Sequence, residues 1–136
     1  NKINSFKKWQ LFAKKSKENS NNLIKIIKKI KKHNKIFGYG ASARSSTLLN
    51  YSNIDFKELD FILDKNLLKN NKFTSGTNIK IFSPNKNIIS KIRNEYKYCL
   101  ILAWNFKKEI KSYLKKIKFR GKVIIPLPHK IQIDDI

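Results

Sequence analysis

The chain of 136 residues is long enough for one domain, and its 40% hydrophobic and 29% charged content is typical of a globular rather than a disordered protein. Its formal net charge of +22 comes almost entirely from lysine, since only three of the 31 basic residues are arginines. Because proteins that read nucleic-acid grooves depend on arginine, we expect no specific nucleic-acid partner. A basic nucleic-acid-binding protein stays an alternative.

No apolar run reaches the about 20 residues that cross a bilayer, and the start lacks the apolar stretch of a secretory signal. We therefore expect a cytoplasmic protein that does not enter membranes. The chain contains no methionine and begins with asparagine, which favours a piece excised from a longer protein over a free-standing one.

Residues 1–34 are predicted to form an N-terminal helical segment that packs on a domain spanning residues 35–136. Helical spacing places four apolar residues on one stripe, namely Phe6, Trp9, Phe12 and Ala13. Polar residues 18–22 are expected to interrupt this helix, with Ser20 or Asn21 capping a second one. Lysines fill the opposite face, as in a helix on a membrane surface, but we favour a helix that covers one face of a sheet.

Strands and helices are predicted to alternate along the rest of the chain. Apolar runs predict strands at 36–37, 59–63, 98–103 and 122–125, with a short extended piece at 79–82. Helices are predicted at 42–51, 87–94 and 107–117. In the first of these helices, Ala43, Leu48 and Leu49 are expected to be buried. This alternation predicts an α/β fold with a mostly parallel sheet of about four to five strands and helices on both faces.

The clearest chemical signal is the sequence GYGASA at residues 38–43, which fits the pattern G-x-G-x-x-G/A between a strand and a helix. We expect Gly38 to allow a tight turn, Gly40 to let the backbone approach a ligand, and Ala43 to let the helix pack closely on the strand. The start of the helix would present free N–H groups to a phosphate, with Ser42 and Arg44 adding polar and charged groups.

Two acidic residues, Asp60 and Asp64, follow this turn at about the separation at which dinucleotide-binding proteins place an acceptor for ribose hydroxyls. Asp64 ends the second predicted strand, so it is the better candidate. The turn and Asp64 together also fit a nicotinamide-dinucleotide-binding module, which we keep as an alternative. A structural interpretation stays open as well, in which the glycines make a corner and Asp64 caps a turn.

Other residues of catalytic type have simpler interpretations. Cys99 lies inside an apolar strand and is expected in the core, and His33 ends a lysine-rich helix, where an exposed site or a cap is expected. His129 follows a strand end and is a candidate to face a ligand crevice. The chain has no cysteine pair or histidine pair for a metal. We therefore expect a ligand-binding crevice with no metal, and no catalytic residue is assigned.

Three longer motifs combine at matching order and spacing. They are GYGASARSSTLLN at 38–50, LDKNLLKNNKFTSGTNIKIFSP at 63–84, and AWNFKKEI with GKVIIPLP within 103–128. Together they resemble the C-terminal domain of S-adenosylmethionine-dependent sugar C-methyltransferases. The resemblance covers about residues 20–128 and implies a Rossmann-like three-layer domain. It further implies that this domain helps to enclose a nucleotide-linked keto-deoxysugar, a ring carbon of which receives the methyl group.

The resemblance also implies which parts are elsewhere. In that family a zinc-binding module and a methyl-donor domain precede this unit, so S-adenosylmethionine would be bound by a methyl-donor domain acting in cis or in trans. The isolated chain would then bind substrate without catalysing the reaction. Departures from the family pattern are Ser45 in place of the usual Gly, Ser75 in place of a Pro, and Lys80 in place of another Pro, and they bear on loop shape and on which sugar is bound.

Carried over position by position, the resemblance implies a substrate-binding set. Its members are Gly38, Tyr39, Gly40, Ala41, Ser42, Arg44, Asp64, Asn66, Gly76, Thr77, Trp104, Asn105 and Pro126. The first five would form the turn, and Arg44 would replace a basic residue, usually Lys, close to the phosphates. The next four would shape the crevice edge and a loop, and the last three would line the ends of later strands, with Pro128 beside Pro126.

Overall fold

In the computed structural model, which describes residues 2–127 and 130–136, four helices and six strands alternate along the chain. The helices are α1 (Lys2–Lys31), α2 (Ala43–Tyr51), α3 (Lys86–Glu95) and α4 (Lys107–Lys116). The strands are β1 (Ile36–Tyr39), β2 (Ile62–Leu63), β3 (Ile81–Phe82), β4 (Tyr98–Ile101), β5 (Lys122–Ile125) and β6 (Gln132–Asp135). Two short 3-10 helices, Leu67–Lys69 and Trp104–Phe106, follow β2 and β4.

The six strands form one sheet in the order β3-β2-β1-β4-β5-β6. Strands β1 to β5 are parallel, and β6 pairs antiparallel with β5. The mostly parallel α/β sheet is therefore confirmed, but the expected four to five strands were too few. Strand β6 was missed because its sequence, QIDD, is polar and largely exposed at the sheet edge, and such a segment carries no apolar strand pattern.

The sheet is covered on both faces, as its buried strands predicted. Residues alternate between two cores along β1, where Ile36 belongs to one and Phe37 to the other. One core is completed by α3 and α4 through residues such as Ile92 and Leu114. The other is completed by Leu23 and Ile27 of α1 and Leu49 of α2. The C-terminal half of α1 thus covers a face of the sheet, in agreement with the favoured interpretation.

Helix α1 is continuous, so the predicted interruption at residues 18–22 is wrong. No Gly or Pro occurs in the segment to break it, and its polar side chains contact the rest of the domain. Ser20 is buried, and Asn19 Nδ2 donates a hydrogen bond of 3.2 Å to the carbonyl oxygen of Pro126. Farther toward the N-terminus, Phe6 and Trp9 are 59% and 65% exposed. The side chain of Phe12, predicted on the same stripe, lies outside the described residues.

Helix α2 begins as predicted but buries a different small residue. Ser42 is its N-cap, with Oγ accepting a hydrogen bond of 3.2 Å from the Ser45 amide. Ala43 is exposed, which contradicts its predicted role, whereas Ser45 is fully buried. Leu49 is buried as expected and Leu48 only partly so. The close approach of helix and sheet therefore depends on Ser45, two positions later than the glycine pattern indicated.

Candidate functional site

The strand order reverses between β1 and β4, and in doubly wound sheets ligands bind at such a point, outside the carboxyl ends of the strands. Gly40 lies at this point with φ of +98°, a conformation that favours glycine. A Cβ atom on Gly40 would lie 2.7 Å from Ala103 Cβ, just after β4. Gly40 is thus required for the close contact between two loops of the protein itself.

Gly38 lies within β1 and does not form the turn that was expected of it. Its φ is not positive, and a Cβ there would lie 3.1 Å from side-chain carbons of Ile62 and Leu102. Gly38 therefore leaves room for core packing. Tyr39 points its ring into the other core, 5.9 Å from the ring of Tyr113, and burial raises the pKa of its hydroxyl above the usual range. At the crevice Tyr39 supplies only its backbone.

The turn after β1 is held by the loop after β2. The Ala41 amide donates a 2.7 Å hydrogen bond to Asp64 Oδ2, while Asp64 Oδ1 accepts a 2.8 Å bond from the Asn66 amide. Lys69 Nζ donates to the carbonyl oxygen of Ala41 and lies 3.9 Å from Asp64 Oδ2. The Asp64 side chain is only 16% exposed. Asp64 and Lys69 thus brace both polar groups of the Ala41 backbone, and we call this pair the turn brace.

The backbone N–H groups that are free to bind a ligand belong to the residues just after Gly40 and Ala41. The Gly40 amide donates to the Leu63 carbonyl at 2.9 Å, and the Ala41 amide is taken by Asp64. Within the part of the chain that the structure describes, the amides of residues 42–44 have no acceptor. They are the first N–H groups of α2, where the helix dipole is positive, and the side chain of Arg44 is exposed beside them. This helix end can bind an anion.

A groove of about 1000 Å³ opens between α1 and α2 and includes this helix end. It is lined by residues that include Lys15, Asn19, Arg44, Thr47, Tyr51 and Trp104. Its volume is at the upper end of the range for small-molecule sites. Lys17 Nζ lies 5.2 Å from the centre of the Tyr51 ring, and Asn19 is bonded to Pro126, so α1 is tied to both sides of the groove.

The structure brings together some of the sequence-predicted residues. Arg44 and Trp104 line the groove directly, and Ser42 caps the helix at its end. Asp64 and Asn66 lie on the other side of the turn, within the turn brace and its loop. Pro126 is buried at the end of β5, and Asn105 is exposed in the 3-10 helix after β4.

Gly76 and Thr77 lie away from the groove, at the far end of α2. Gly76 has φ of +79°, and a Cβ there would lie 2.5 Å from Asn50 Oδ1, in the last turn of the helix. Asn50 Nδ2 also donates to the carbonyl oxygen of Ser75 at 3.1 Å. Thr77 is buried and shares a hydroxyl hydrogen bond with Thr74. These two predicted residues shape a loop that supports α2.

Sequence reasoning missed one wall of the groove and half of the turn brace. The wall is formed by polar residues of α1 such as Asn19 and Asn22, which were expected to break the helix. Lys69 was missed because nothing distinguishes it from its many lysine neighbours. The asparagine-rich stretch within lysine-rich helix α1 is the sequence feature that could have predicted this wall.

The remaining candidate residues take no part in this site. Cys99 is fully buried in β4, and burial raises the pKa of its thiol well above the usual value, so it belongs to the core as predicted. His33 is exposed just after α1, and His129 and Pro128 lie outside the described residues. Within residues 2–127 and 130–136, no three His, Cys, Asp or Glu side chains are grouped to hold a metal ion. None of the helices in those residues is long and apolar enough to span a bilayer.

Comparison with known proteins places the chain in a family. The family model of the C-methyltransferase C-terminal domain matches residues 1–128. The chain belongs to the C-methyltransferase C-terminal domain family. It is also 33% identical over 94 residues to C-methyltransferase NovU of Streptomyces niveus, an alignment that covers 68% of this chain. The same alignment covers 21% of NovU, so the chain spans about a fifth of the length of that relative.

Family membership confirms the resemblance carried by the three motifs. The matched residues of this C-methyltransferase C-terminal domain include β1, the turn brace and β5, and they also include α1. The wall that α1 contributes to the groove is therefore part of the family unit.

Proposed function

We propose that the chain is the substrate-binding part of an S-adenosylmethionine-dependent C-methyltransferase that acts on a nucleotide-linked keto-deoxysugar. The groove between α1 and α2 receives the diphosphate end of this substrate. The observation that carries the proposal is the groove itself, in which a positive helix end, Arg44 and Trp104 meet beside the switch point of a C-methyltransferase domain. We further propose a Rossmann-like fold, because the order β3-β2-β1-β4-β5 follows the doubly wound arrangement.

The chemistry of the groove supports a diphosphate ligand. Three free amides and the Arg44 guanidinium offer hydrogen bonds to phosphate oxygens, each of which contributes about 1.5–3 kcal/mol when one partner is charged. Lys15 on the opposite wall adds a positive charge. Trp104 offers an aromatic surface on which a nucleobase or a sugar ring can pack. The net charge of +22 raises the local concentration of any such anion.

The methyl donor is bound outside this unit in our proposal, by a methyl-donor domain in cis or in trans. The turn after β1 does not fit the adenosine part of the donor, because Asp64, the residue at the position of a ribose acceptor, is bonded to the Ala41 and Asn66 amides. The role of this chain in catalysis is therefore to position the substrate. Holding the sugar with its reactive carbon oriented lowers the entropic part of the barrier, while proton transfer is left to other parts of the enzyme.

The same geometry argues against the two alternatives. A dinucleotide would use the amides of the glycine turn and the carboxylate of Asp64, and these groups are bonded to each other. A nucleic acid would favour lysines concentrated on one face, whereas lysines occur on α1, α3 and α4 and in the loops. The cytoplasmic location stays a prediction.

Isothermal titration of the folded chain with a thymidine-diphosphate sugar at low salt tests the proposal. We expect saturable binding in the micromolar to millimolar range and a roughly tenfold weaker affinity for Arg44→Gln, because a charge-assisted bond is lost. Arg93→Gln, at an exposed position on α3, is the matched control and should bind like the parent. No heat at millimolar ligand, or equal weakening by both variants, would contradict the proposal.

A further inference from the structure

A second pocket lies at the opposite edge of the sheet from the groove, where the parallel strands begin. It has a volume of about 490 Å³. The residues that define it include Lys35, Phe56, Asp60, Phe73, Lys80 and Lys91. Lys35, Asp60 and Lys80 each precede a strand, namely β1, β2 and β3, so we call this cavity the amino-edge pocket.

Two phenylalanine rings at this pocket are exposed although the loops that carry them are ordered by hydrogen bonds. Phe56 and Phe73 are 55% and 56% exposed. The Phe56 amide donates to the Thr77 carbonyl at 3.1 Å, and Phe73 forms an antiparallel bridge with Lys80. Their backbones are thus fixed while large apolar surfaces stay in water. Exposed rings on a hydrogen-bonded backbone beside a cavity are suited to stack on a planar ligand.

The floor of the amino-edge pocket is aromatic and well packed. The Phe61 ring lies 5.7 Å from the Phe82 ring and 5.3 Å from the Tyr96 ring, both measured between ring centres. Tyr96 is held in place because its hydroxyl donates a 2.7 Å hydrogen bond to Asp60 Oδ2. The floor therefore keeps its shape when a ligand enters.

The charge of the pocket is positive and not fully neutralised. Lys80 Nζ lies 5.9 Å and 5.3 Å from the ring centres of Phe73 and Phe82, over aromatic faces. Within the described residues, neither Lys80 nor Lys91 forms a salt bridge. Among the described residues that line the pocket, Asp60 is the one acid, and it is already bonded to Lys31 at 2.8 Å.

We propose that the amino-edge pocket binds a small planar aromatic anion of the class of a nucleoside monophosphate. The base stacks on Phe56 and Phe73, and the phosphate lies near the ammonium groups of Lys80 and Lys91. Aromatic side chains stack on any base, and lysine binds phosphate as a point charge. Both the base and the phosphate of such a ligand therefore find a partner in the pocket. The volume of the pocket suits a small molecule rather than a macromolecular surface. This proposal is independent of the function proposed for the groove.

Amide NMR of the ¹⁵N-labelled chain at about 150 mM salt, where exposed charges are largely screened, tests this site. The probes are AMP, adenosine and inorganic phosphate, added separately. We expect AMP to bind saturably and to shift the amides of Phe56, Phe73 and Lys80, with an affinity at least tenfold above that of adenosine or phosphate. Shifts of equal size for AMP and phosphate, spread over lysines of all elements, would overturn the proposal.

Variants separate this site from the groove. Phe73→Leu keeps an apolar side chain but removes the ring, and we expect AMP to bind about tenfold more weakly, the order of effect seen when a stacking ring is removed. Lys80→Gln should weaken AMP binding several-fold and leave adenosine binding unchanged. Arg44→Gln should leave unchanged the AMP-induced shifts of the Phe56, Phe73 and Lys80 amides and the affinity that they report. Loss of AMP binding in Arg44→Gln with full binding in Phe73→Leu would overturn the proposal, since the ligand would then occupy the groove.

Discussion

The face of the sheet covered by α3 and α4 is filled by large aromatic rings, whereas the face covered by α1 and α2 is filled by aliphatic side chains and opens into a groove. The Phe37 ring lies 5.4 Å to 5.6 Å from the rings of Phe61, Tyr96 and Phe119. On the other face, Leu23 and Leu49 are buried in the core, and Leu23 also lines a cavity of about 1000 Å³. Both cores are well buried, so the faces differ in the type of side chain that fills them and in the large groove that opens beside the aliphatic one.

The largest effect expected from this comparison is on stability, at the aromatic face. Phe37→Ala should lower the free energy of unfolding by about 3–5 kcal/mol, because it removes a fully buried ring and leaves a cavity. Urea unfolding measures this change. Thr47→Ala, at an exposed position in the groove wall, is the control and should change stability by less than about 0.5 kcal/mol. Similar losses in both variants would contradict the burial of the Phe37 ring and the exposed position of Thr47.

The next effect is expected at the turn between the two faces. Gly40→Ala should cost roughly 1–3 kcal/mol, because its φ of +98° is unfavourable for alanine and its Cβ would meet Ala103 Cβ. Gly38→Ala is the comparison, since its φ is not positive and its Cβ would meet side-chain atoms of Ile62, Leu102 and Leu59 at 3.1 Å to 3.4 Å and no backbone. Thermal and urea unfolding of both variants measure the difference. A greater loss at Gly38 than at Gly40 would show that the turn is not the constrained point.

A smaller effect should distinguish a brace from a ligand contact at Asp64. Asp64→Asn should lower stability by about 1–2 kcal/mol, because one of the two amides that it binds loses its acceptor and Lys69 loses a counter-charge. Glu109→Gln, on the exposed face of α4, controls for the loss of a negative charge. Full stability combined with a large loss of nucleotide-sugar affinity would indicate instead that Asp64 contacts a ligand.

The smallest effect is a pH dependence at Asp60. Burial opposes its ionisation, but hydrogen bonds from Lys31 and Tyr96 outweigh this, so the pKa of Asp60 is lowered in the folded protein. Stability from these bonds is therefore present above the ordinary pKa of about 3.8 and is lost as pH falls through the lower folded value. Between about pH 2 and 6, the free energy of unfolding should fall less steeply on acidification in Asp60→Asn than in the parent protein. Identical slopes in the two proteins would contradict this.

Much of the fold could be predicted from the sequence because buried parallel strands are short apolar runs. Strand β5 and helices α3 and α4 occur within one residue of their predicted bounds, since strands and amphipathic helices have distinct periods. Strand β6 could not be found, because only its pairing with β5 makes it a strand. The continuity of α1 was missed because its polar residues contact Pro126 and the groove, which are distant in sequence.

The candidate site was predicted less completely than the fold. The glycine pattern located the turn, but the local sequence could not show that Asp64 bonds to the turn itself. It also assigned close packing to Ala43, whereas Ser45 is the buried residue. Both errors concern the direction in which a side chain points, which depends on tertiary contacts. Arg44 was found because it directly follows the glycine turn, and Trp104 because the resemblance to the family implied it.

The most direct test of the groove is amide NMR of the chain titrated with a thymidine-diphosphate sugar and, separately, with NAD. Our account predicts that the nucleotide-sugar shifts the amides of Ser42, Ala43 and Arg44 and the indole N–H of Trp104, while NAD binds more weakly. If those signals stay unchanged at saturating nucleotide-sugar, or if NAD shifts them at lower concentration, the groove is not the site that we propose.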